Sequence, residues 1–363
     1  MGKKVLLFAN SISGIYSFRK EVVKGIVDAG NTVTISGPYD DERCQYFLDI
    51  GCEIIDTHFD RRGINPLKDF KLIATFYQQI RKIKPDIVLS YTIKPNIYGG
   101  LVCRLLSIPQ FANITGLGDA LENGGWLQKI TIALYKVSLS KARCVFFQNS
   151  NNREFFVKNK IAKGKTFLLP GSGVNLDFHA YQQYPEGNTK IMYMGRLLKD
   201  KGSDELFAMS KYIKKAYPDV EIQILGASEE GYDDIFAEFE KQEIITNLGT
   251  TTDVRPYLAK VHCTVMPSYH EGMSNTNLES AANGRPVITT DVPGCRETVD
   301  DGRTGFLVKA KDAQSLIDGV ERFLALSYEQ KKQMGIEARK KVEKEFDRQI
   351  VVKAYLKAIN SIS

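Results

Sequence analysis

The sequence contains no apolar run that approaches the roughly 18–20 residues of a membrane-spanning helix. It also contains no Cys-x-x-Cys pair, no Asp-x-Asp pair and no cluster of its histidines and cysteines. These absences argue against a structural zinc site and against a divalent cation held by paired carboxylates. The 6 cysteines lie mostly in apolar segments, which favours buried thiols in a reducing cytosol over disulfides.

The charge is divided unevenly along the chain. Residues 1–170 contain 24 lysines and arginines against 14 acidic residues, whereas the remainder contains 25 basic and 29 acidic residues. A basic first half suggests an anionic partner, such as an anionic membrane surface or a lipid phosphate, and an ordinary solvated surface is the alternative. Nucleic acid is not expected, because the basic residues are scattered and no nucleic-acid-binding module is present.

The 363 residues exceed what one ordinary core accommodates and suggest two domains. Strand-like and helical segments alternate from Lys4 to Gln148, and the alternation restarts after a linker at Pro170–Gly173. This α/β pattern predicts two doubly wound (Rossmann-like) domains that face each other across a cleft and hinge at the linker. The expected boundaries are 1–170 for the first domain, 171–345 for the second, and 346–363 for a last helix that returns to the first domain.

The most informative stretch begins with the apolar run Cys263–Met266. A polar turn with one glycine follows, and then a helical segment from Thr276 to Asn283. The N-terminus of such a helix presents free amide donors and the positive end of its dipole, which favour a phosphate. Glu271 and Glu279 flank the turn, and carboxylates beside a phosphate are useful if they bind sugar hydroxyls. The stretch therefore predicts a nucleotide-sugar pocket.

Other motifs accompany this stretch in a fixed order. They are Gly195-Arg196 at a strand end, Lys201-Gly202, Pro267-Ser268 before Glu271 and Glu279, the run Ala281–Ile288, and Asp301–Phe306. Together they resemble the retaining nucleotide-sugar glycosyltransferases of the GT-B fold, in the large family 4 group. The resemblance is strongest over residues 190–310.

The resemblance implies three catalytic residues. Arg196 and Lys201 are expected to clamp the donor diphosphate, and Glu271 to contact the donor sugar during a front-face displacement. A covalent nucleophile is the alternative role for Glu271. For all three residues, a charge without a catalytic role is the other interpretation. Since two cations neutralise the diphosphate, no metal or other cofactor is expected.

The same resemblance implies a wider donor site. Glu279 is expected to bind the ribose hydroxyls. Met273, Ser274, Asn275 and Thr276 are expected to offer backbone amides to the donor, and Gly226, Gly249 and Val254 to line the base pocket. The remaining donor-site residues are the glycines Gly14, Gly195 and Gly272, of which Gly14 is expected to allow close approach of the backbone. For Gly14 an ordinary turn glycine is an equally good interpretation.

Two first-domain segments, Thr92–Gly99 and Asn113–Gly118, look like the bacterial enzymes that add hexose or N-acetylhexosamine to sugars on undecaprenyl diphosphate. The expected acceptor-binding residues are Lys94, Asn96, Asn113, Thr115 and Gly116. Many family members carry a histidine after the fourth strand, and this chain has none there. Lys94 is the nearest polar substitute, and His270 is the histidine nearest the expected chemistry.

The sequence therefore predicts a retaining, metal-independent glycosyltransferase. It would move a hexose or N-acetylhexosamine from a UDP-sugar to a polyprenyl-diphosphate-linked sugar in capsule or O-antigen biosynthesis. The protein would be peripheral at the cytoplasmic face of the membrane, with Asp60–Leu67 or Gly116–Leu121 and Trp126 towards the lipid. The alternative functions are an epimerase of the same fold, transfer to a soluble acceptor, and a scaffold without catalysis. For the segments expected to face the lipid, ordinary packing within the protein is the alternative.

Overall fold

Apolar strand segments assemble into two parallel sheets, one in each of two units of the chain. The structure is a computed structural model that describes residues 2–58, 65–118, 121, 124–162, 164–229 and 231–362. Unit 1 comprises Met1–Ser172 and Gln349–Ser363, and unit 2 comprises Gly173–Arg348.

Unit 1 contains a seven-stranded sheet in the order β3-β2-β1-β4-β5-β6-β7. Its strands are β1 (Lys4–Phe8), β2 (Thr32–Gly37), β3 (Glu53–Asp56), β4 (Ile87–Tyr91), β5 (Gln110–Ile114), β6 (Cys144–Phe147) and β7 (Lys165–Leu168). Its helices are α1 (Ile12–Asp28), α2 (Asp41–Asp49), α3 (Pro66–Ile83), α4 (Gly100–Leu106), α5 (Gly125–Ser138) and α6 (Ser150–Lys158), with a π-helix at Pro95–Gly99.

The last helix of the chain, Arg348–Asn360, packs on the unit 1 core. Its residues Val351, Tyr355 and Ile359 are fully buried beside the helix α1 residues Val22 and Ile26. Because these contacts are apolar and continuous, this final helix is part of the unit 1 core.

Helix α1 begins earlier than the sequence predicts. The apolar spacing Phe18, Val22, Ile26 predicts a start near Ser17, and this prediction is wrong. The Ser11 hydroxyl accepts a hydrogen bond from the Gly14 amide at 3.0 Å and caps a helix that starts at Ile12. Gly14 therefore lies in the first turn of the helix rather than in a loop, and its amide is occupied by the cap.

Unit 2 repeats the same winding with six strands in the order β10-β9-β8-β11-β12-β13. The strands are β8 (Lys190–Met194), β9 (Glu221–Leu225), β10 (Thr246–Asn247), β11 (Cys263–Met266), β12 (Val287–Thr290) and β13 (Gly305–Val308). The helices are α7 (Ser203–Ala216), α8 (Asp233–Lys241), α9 (Arg255–Leu258), α10 (Asn275–Ala282), α11 (Ala313–Leu324) and α12 (Tyr328–Glu345).

Both strand orders confirm the prediction of doubly wound parallel sheets. In each sheet the order reverses beside the first strand, at β1–β4 in unit 1 and at β8–β11 in unit 2. The crevice at the carboxyl ends of such strands is where open α/β sheets bind ligands. In unit 2, a ligand site is therefore expected at the turns directly after β8 and β11.

Side-chain burial agrees with the sequence for the cysteines. All six cysteines are buried, and burial raises the pKa of the Cys52 and Cys144 thiols to about 12. Among the helices of the described residues, none is long and apolar enough to cross a membrane.

Candidate functional site

The ends of β8 and β11 in unit 2 bring two sequence motifs together. The strands are paired in register, with Cys263 beside Ile191 and Val265 beside Tyr193. Gly195-Arg196 follows β8 directly, and Pro267-Ser268 follows β11. Because parallel strands end at one edge of a sheet, the Gly-Arg turn and the Glu271 turn become neighbours although about 70 residues separate them in sequence.

Glycine is required where the β8 and β9 ends touch. A Cβ atom on Gly226 would lie 1.9 Å from the Gly195 carbonyl oxygen, a distance that no side chain tolerates. The Gly226 amide donates to the Gly249 carbonyl at 2.8 Å, and the Gly195 amide donates to the Leu225 carbonyl at 3.0 Å. Gly195 and Gly226 thus form a wall of bare backbone, which a ligand can approach closely, and Gly249 is tied to this wall by its hydrogen bond with Gly226.

Behind this wall, Tyr193 positions the turn that carries Arg196. The tyrosine is fully buried, and its hydroxyl donates to the Arg196 carbonyl at 2.7 Å. This contact could not be read from the sequence, where Tyr193 is simply one apolar residue of a strand.

A pocket of about 310 Å³ opens beside this wall. Its volume is at the lower end of the range for small-molecule sites in proteins. The lining residues come from the ends of β8 and β9, from the loop before α9 and from the first turns of α10: Met194, Gly195, Arg196, Leu225, Gly226, Ala227, Thr250, Thr251, Val254, Thr276 and Glu279. Six of the predicted donor-site residues are among them.

Glu279 supplies a carboxylate to this lining. Burial raises the pKa of its side chain from 4.5 to about 7, and the Arg348 guanidinium opposes part of that rise. A carboxylate buried in this way is poorly solvated, so it gains when a ligand supplies hydrogen-bond donors.

Glu271 forms an ion pair with Lys201. The Lys201 Nζ lies 2.5 Å from Glu271 Oε1, and the Ser268 hydroxyl donates to the same oxygen at 3.0 Å. Both charged side chains are mostly buried, since only 27% of the Lys201 side chain and 17% of the Glu271 side chain are exposed. Two of the three predicted catalytic residues therefore meet directly.

The ion pair depends on Gly202. This glycine has φ +74°, and a Cβ atom there would lie 2.2 Å from the Pro267 carbonyl oxygen. The absence of a side chain lets the short 3₁₀ turn Lys199–Lys201 press against the end of β11. The Lys-Gly motif thus places the lysine against the Glu271 turn.

The loop after β12 supports the Glu271 turn from the other side. Gly294 has φ +84°, and a Cβ atom there would lie 2.3 Å from the Glu271 carbonyl oxygen. The Ser274 amide donates to the Gly294 carbonyl at 2.7 Å, and the Gly294 amide donates to Glu297. Backbone contacts on both sides make this turn rigid before any ligand binds.

Helix α10 begins close to the pocket, with Ser274 as its N-cap. The Ser274 hydroxyl accepts from the Asn277 amide, and Thr276 in the first turn lines the pocket. Of the four residues predicted to offer backbone amides, Ser274 uses its amide within the protein, Met273 is buried in the core, and Thr276 reaches the pocket. Asn275 precedes Thr276 in the same turn, and Gly272 lies within the Glu271 loop.

Arg196 lines the pocket but is held by an acid in this structure. Its Nη1 lies 3.2 Å from Glu229 Oε2, and about half of each side chain is exposed to solvent. Glu229 could not be identified from the sequence, since it lies 33 residues away in a loop without a motif.

In unit 1 the structure separates the predicted acceptor residues into two groups. Asn96 and Asn113 are buried, at 1% and 2% exposure. Asn96 accepts from the Ser90 hydroxyl and donates to the Asn113 carbonyl, while the Asn113 carboxamide accepts from the Tyr355 hydroxyl. These side chains connect strands and helices inside unit 1, and a role in acceptor binding stays a prediction for them.

The other group lies at the edge of the sheet where the strands end. Lys94 Nζ lies 2.9 Å from Asp69 Oδ1, which ties the segment after β4 to the start of α3. Thr115 and Gly116 follow β5 and are partly exposed, and a Cβ atom on Gly116 would meet nothing within 4 Å. Of the predicted acceptor residues, these three can reach solvent at the strand ends.

Thr92, at the same edge, has an unusual backbone conformation. It has φ +71°, a left-handed conformation that is unfavourable for a β-branched residue. Its hydroxyl oxygen is buried and has no hydrogen-bond partner within the described residues, and the π-helix Pro95–Gly99 follows three residues later. Strained residues and π-helical turns both concentrate at functional sites.

Two predicted features fall wholly or partly outside the described residues. The basic and apolar segment Asp60–Leu67 is described only from Asn65 onward, and Asp119 and Ala120 of Gly116–Leu121 are not described. No group of three or more His, Cys, Asp or Glu side chains suited to a metal ion occurs in the part of the chain that the structure describes.

Comparisons with known proteins match both units to glycosyltransferases. Residues 177–341 match the family "Glycosyl transferases group 1", and residues 4–149 match "Glycosyl transferase 4-like". The N,N'-diacetylbacillosaminyl-diphospho-undecaprenol alpha-1,3-N-acetylgalactosaminyltransferase of Campylobacter jejuni is 25% identical over 331 residues, 86% of this chain and 87% of that one. The UDP-Gal:alpha-D-GlcNAc-diphosphoundecaprenol alpha-1,3-galactosyltransferase of Escherichia coli is 25% identical over 282 residues, 72% of each chain.

Solved structures show the same fold. HepE of Anabaena in complex with UDP superposes with a TM-score of 0.80 at 16% identity, covering 99% of this chain and 100% of that one. Sucrose-phosphate synthase of Thermosynechococcus elongatus gives 0.77 at 19% identity, covering 99% and 98%. The chain therefore belongs to the glycosyltransferases of the GT-B fold, with a glycosyl transferase 4-like domain followed by a group 1 glycosyl transferase domain.

Proposed function

We propose that this glycosyltransferase moves a hexose or N-acetylhexosamine from a UDP-sugar to a sugar on a polyprenyl diphosphate, with retention of anomeric configuration. The observation that carries the proposal is the pocket in unit 2, where a bare glycine wall, Arg196 and Glu279 surround a space of about 310 Å³. Relatives whose names specify diphospho-undecaprenol acceptors support the acceptor class. The acceptor places the reaction in surface polysaccharide or glycan assembly, at the cytoplasmic face of the membrane.

Each part of the donor has a partner in unit 2. The base enters beside Val254 and Thr250, and the Glu279 carboxylate accepts hydrogen bonds from the two ribose hydroxyls. Arg196 and Lys201 bind the diphosphate oxygens, whose negative charge grows as the bond to the sugar breaks. Because these cations take up that charge, the proposed reaction requires no metal, and it should proceed unchanged in the presence of EDTA.

Retention follows from a displacement on one face of the sugar. The acceptor oxygen forms a bond to the anomeric carbon as the bond to the diphosphate oxygen breaks, and the acceptor proton passes to the departing diphosphate. Glu271 contacts a hydroxyl of the sugar. Its Oε1 already accepts from Lys201 and Ser268, which suits a fixed hydrogen-bond acceptor better than an attacking nucleophile.

The Arg196–Glu229 ion pair predicts a variant that binds the donor more tightly. Glu229→Gln removes the acid that holds Arg196 in the free protein, so UDP affinity should rise about two- to fivefold, the range expected for an exposed ion pair. Calorimetric titration measures this. In an Arg196→Ala background the same change should have no effect, and an equal gain there would show that Glu229 acts by another route.

Thr92 is proposed to position the chain at the strand end where family members carry histidine, because its left-handed backbone and buried hydroxyl fix the course of the segment that carries Lys94. Thr92→Gly relieves the left-handed strain and removes the hydroxyl, so the protein should gain about 1 kcal/mol in stability. At the same time kcat/KM should fall about tenfold. Thermal melts and initial rates on one preparation measure both effects.

A matched control for Thr92 is Ser107→Gly. Ser107 has φ +57° at the end of α4, so this change relieves a similar strain away from the strand ends. It should stabilise the protein without altering its rate. Full activity in Thr92→Gly would leave Thr92 with a structural role alone.

Release of UDP from a panel of UDP- and GDP-sugars, with and without short polyprenyl-diphosphate-linked sugars, tests the proposed function. Release that rises sharply with one lipid-linked acceptor is the expected result. Preference for a soluble acceptor would discard the lipid-linked substrate and keep the donor site. Conversion of the sugar without UDP release would mean an epimerase.

A further inference from the structure

Four large apolar side chains of unit 1 are exposed at the start of two helices. Leu67 and Phe70 in α3 are 84% and 72% exposed, and Trp126 and Ile130 in α5 are 70% and 47% exposed. Soluble proteins expose single apolar residues routinely, but a group of this size and aromatic content marks an interaction surface. These four residues are named the apolar edge.

The topology places both helix starts at one edge of the sheet. Helices α3, α4 and α5 connect β3 to β4, β4 to β5 and β5 to β6, so all three cover the same face. Helices α3 and α5 both pack against the π-helix and α4 between them. In a βαβ unit the helix begins at the side of the sheet where the preceding strand ends, so the apolar edge lies on the side of the strand carboxyl ends, together with Lys94 and Thr115.

Basic residues share the faces of the apolar residues. Lys71 follows Leu67 by four positions in α3, and Lys129 lies three positions after Trp126 in α5, so each lysine is on the apolar face of its helix. Lys68 is exposed in the same turn as Leu67. Asp69 is the single acid in the sequence of these two helices, and it is paired with Lys94 and mostly buried.

We infer that the apolar edge docks on an anionic membrane. Aromatic and aliphatic side chains at two helix starts enter the boundary between headgroups and acyl chains, while neighbouring lysines meet the negative headgroups. The inference deepens the proposed function, on which it rests for its purpose, because it brings the strand ends that carry Lys94 and Thr115 to the surface where a lipid-linked acceptor resides. If the apolar edge bound a protein instead, binding would not depend on anionic lipid.

Trp126 is the only tryptophan of the chain, so its fluorescence reports directly on the apolar edge. The full-length protein is mixed with vesicles of phosphatidylcholine alone or with 30% phosphatidylglycerol. We expect binding to the anionic vesicles, a blue shift of the emission, quenching by brominated acyl chains, and release at high salt. An unchanged emission with both vesicle types would overturn the inference.

Three variants separate the contributions in a sedimentation assay. Phe70→Ser combined with Trp126→Ser should lower the partition coefficient at least tenfold, and Lys68→Gln combined with Lys71→Gln should lower it about tenfold. Leu105→Ser is the matched control, because Leu105 is 72% exposed at the opposite end of α4, and it should bind like the wild type. Equal losses in all three, or none in the first two, would contradict the inference.

The membrane-docking inference and the proposed transfer reaction are tested by separate experiments, so one can fail without the other. Vesicle binding is measured without donor or acceptor, so it persists if the proposed transfer reaction is wrong. Turnover of a water-soluble acceptor analogue should be unchanged in the Phe70→Ser, Trp126→Ser protein, while turnover of an acceptor embedded in anionic vesicles should fall at least tenfold. Equal turnover of the embedded acceptor by this variant and the wild type would also overturn the inference.

Discussion

Glu271→Gln is expected to lower kcat/KM for sugar transfer by about 10²–10³-fold, while UDP affinity stays within about threefold of the wild type. The amide keeps the size of the side chain and one acceptor oxygen. It loses the charge that holds Lys201 at 2.5 Å and the strength of the contact with the sugar. Because that contact matters most as charge develops on the sugar, the loss should appear mainly in kcat.

Lys201→Met should act differently from Glu271→Gln. In the proposed reaction the lysine contacts the diphosphate in both the bound and the reacting states, so UDP affinity and kcat should both fall. Since the two residues form one ion pair, the double variant should lose much less than the product of the single losses. Calorimetry with UDP and steady-state rates for the four proteins measure this coupling.

The control for this series is Glu337→Gln. Glu337 pairs with Arg303 at 2.7 Å and with Lys340 at 2.8 Å, and Arg303 precedes β13 at the amino end of the sheet, opposite to the carboxyl ends of the strands. Its removal breaks an ion pair without touching the site, so the rate should stay within about twofold of the wild type, as expected for a weak surface pair. A loss in the double variant that equals the product of the two single losses would contradict the functional pairing of Glu271 with Lys201.

Glu279→Gln is expected to weaken UDP binding by about 10–100-fold, since charged hydrogen bonds to the ribose contribute about 1.5–3 kcal/mol. The wild type should also show a pH dependence that the variant lacks. With a pKa of about 7 in the free protein, the carboxyl must lose its proton before it accepts from the ribose. Affinity for an intact UDP-sugar should therefore fall about tenfold from pH 8 to pH 6.

An intact UDP-sugar is the correct probe for this profile, because its diphosphate has no free terminal group that titrates near neutrality. The Glu279→Gln protein should give a nearly flat profile. An equally steep profile in that variant would assign the titration to another group.

The free energy of unfolding of the wild type should change with pH in the opposite direction to its affinity for UDP-sugar. Burial raises the pKa of Glu279 from 4.5 in an unfolded chain to about 7 in the folded one, so the folded state binds more protons between these values. The contribution of Glu279 to the stability of the free wild type is therefore most favourable below pH 4.5 and is lost as pH rises through 7. At pH 8 Glu279→Gln should be more stable by about 1–3 kcal/mol, and near pH 4 the two proteins should melt alike.

This gain in stability with a loss of binding is what distinguishes a ligand-binding carboxylate from a structural one. A structural carboxylate stabilises the free protein, so its removal lowers the melting temperature. Thermal melts at pH 4 and pH 8, without nucleotide, decide between the two. A lower melting temperature for Glu279→Gln at pH 8 would contradict the ligand-binding role of this residue.

The sequence predicts the strand, turn and helix that form the unit 2 pocket, because the determinants of these elements are local. An apolar strand, a polar turn, a capping serine at position 274 and a helix are each legible from a few adjacent residues. The meeting of the Gly195 and Glu271 turns then follows from the strand order of a doubly wound sheet. The roles of Gly202 and Gly226 become specific only with coordinates, which show the carbonyl that occupies the place of each missing Cβ.

Contacts between distant segments are beyond local patterns. The Tyr193 hydroxyl that supports the Arg196 carbonyl and the Glu229 carboxylate that holds the Arg196 guanidinium both depend on how loops meet. The left-handed conformation of Thr92 is even harder to predict, because β-branched residues disfavour this conformation. Only the surrounding structure can impose it.

Buried polar residues and exposed strands are also hard to recognise from sequence. Asn113 is predicted to bind the acceptor because Asn113–Gly118 resembles bacterial enzymes that act on undecaprenyl diphosphate, and the burial of its carboxamide against Tyr355 and the Ser90 carbonyl is visible only in the structure. Strand β7 (Lys165–Leu168) is not predicted by the sequence pattern at all. It is an edge strand with mostly exposed side chains, so it lacks the apolar pattern by which buried strands are detected.

Transfer of a sugar from the unit 2 donor pocket with retention is tested most directly by carbon NMR. The reaction contains a UDP-sugar labelled at the anomeric carbon and a polyprenyl-diphosphate-linked acceptor. We expect one UDP released for each new glycosidic bond and an α-configured product from the α-configured donor, both lost in Glu271→Gln. A β-linked product, or a changed sugar still attached to UDP, would contradict transfer with retention.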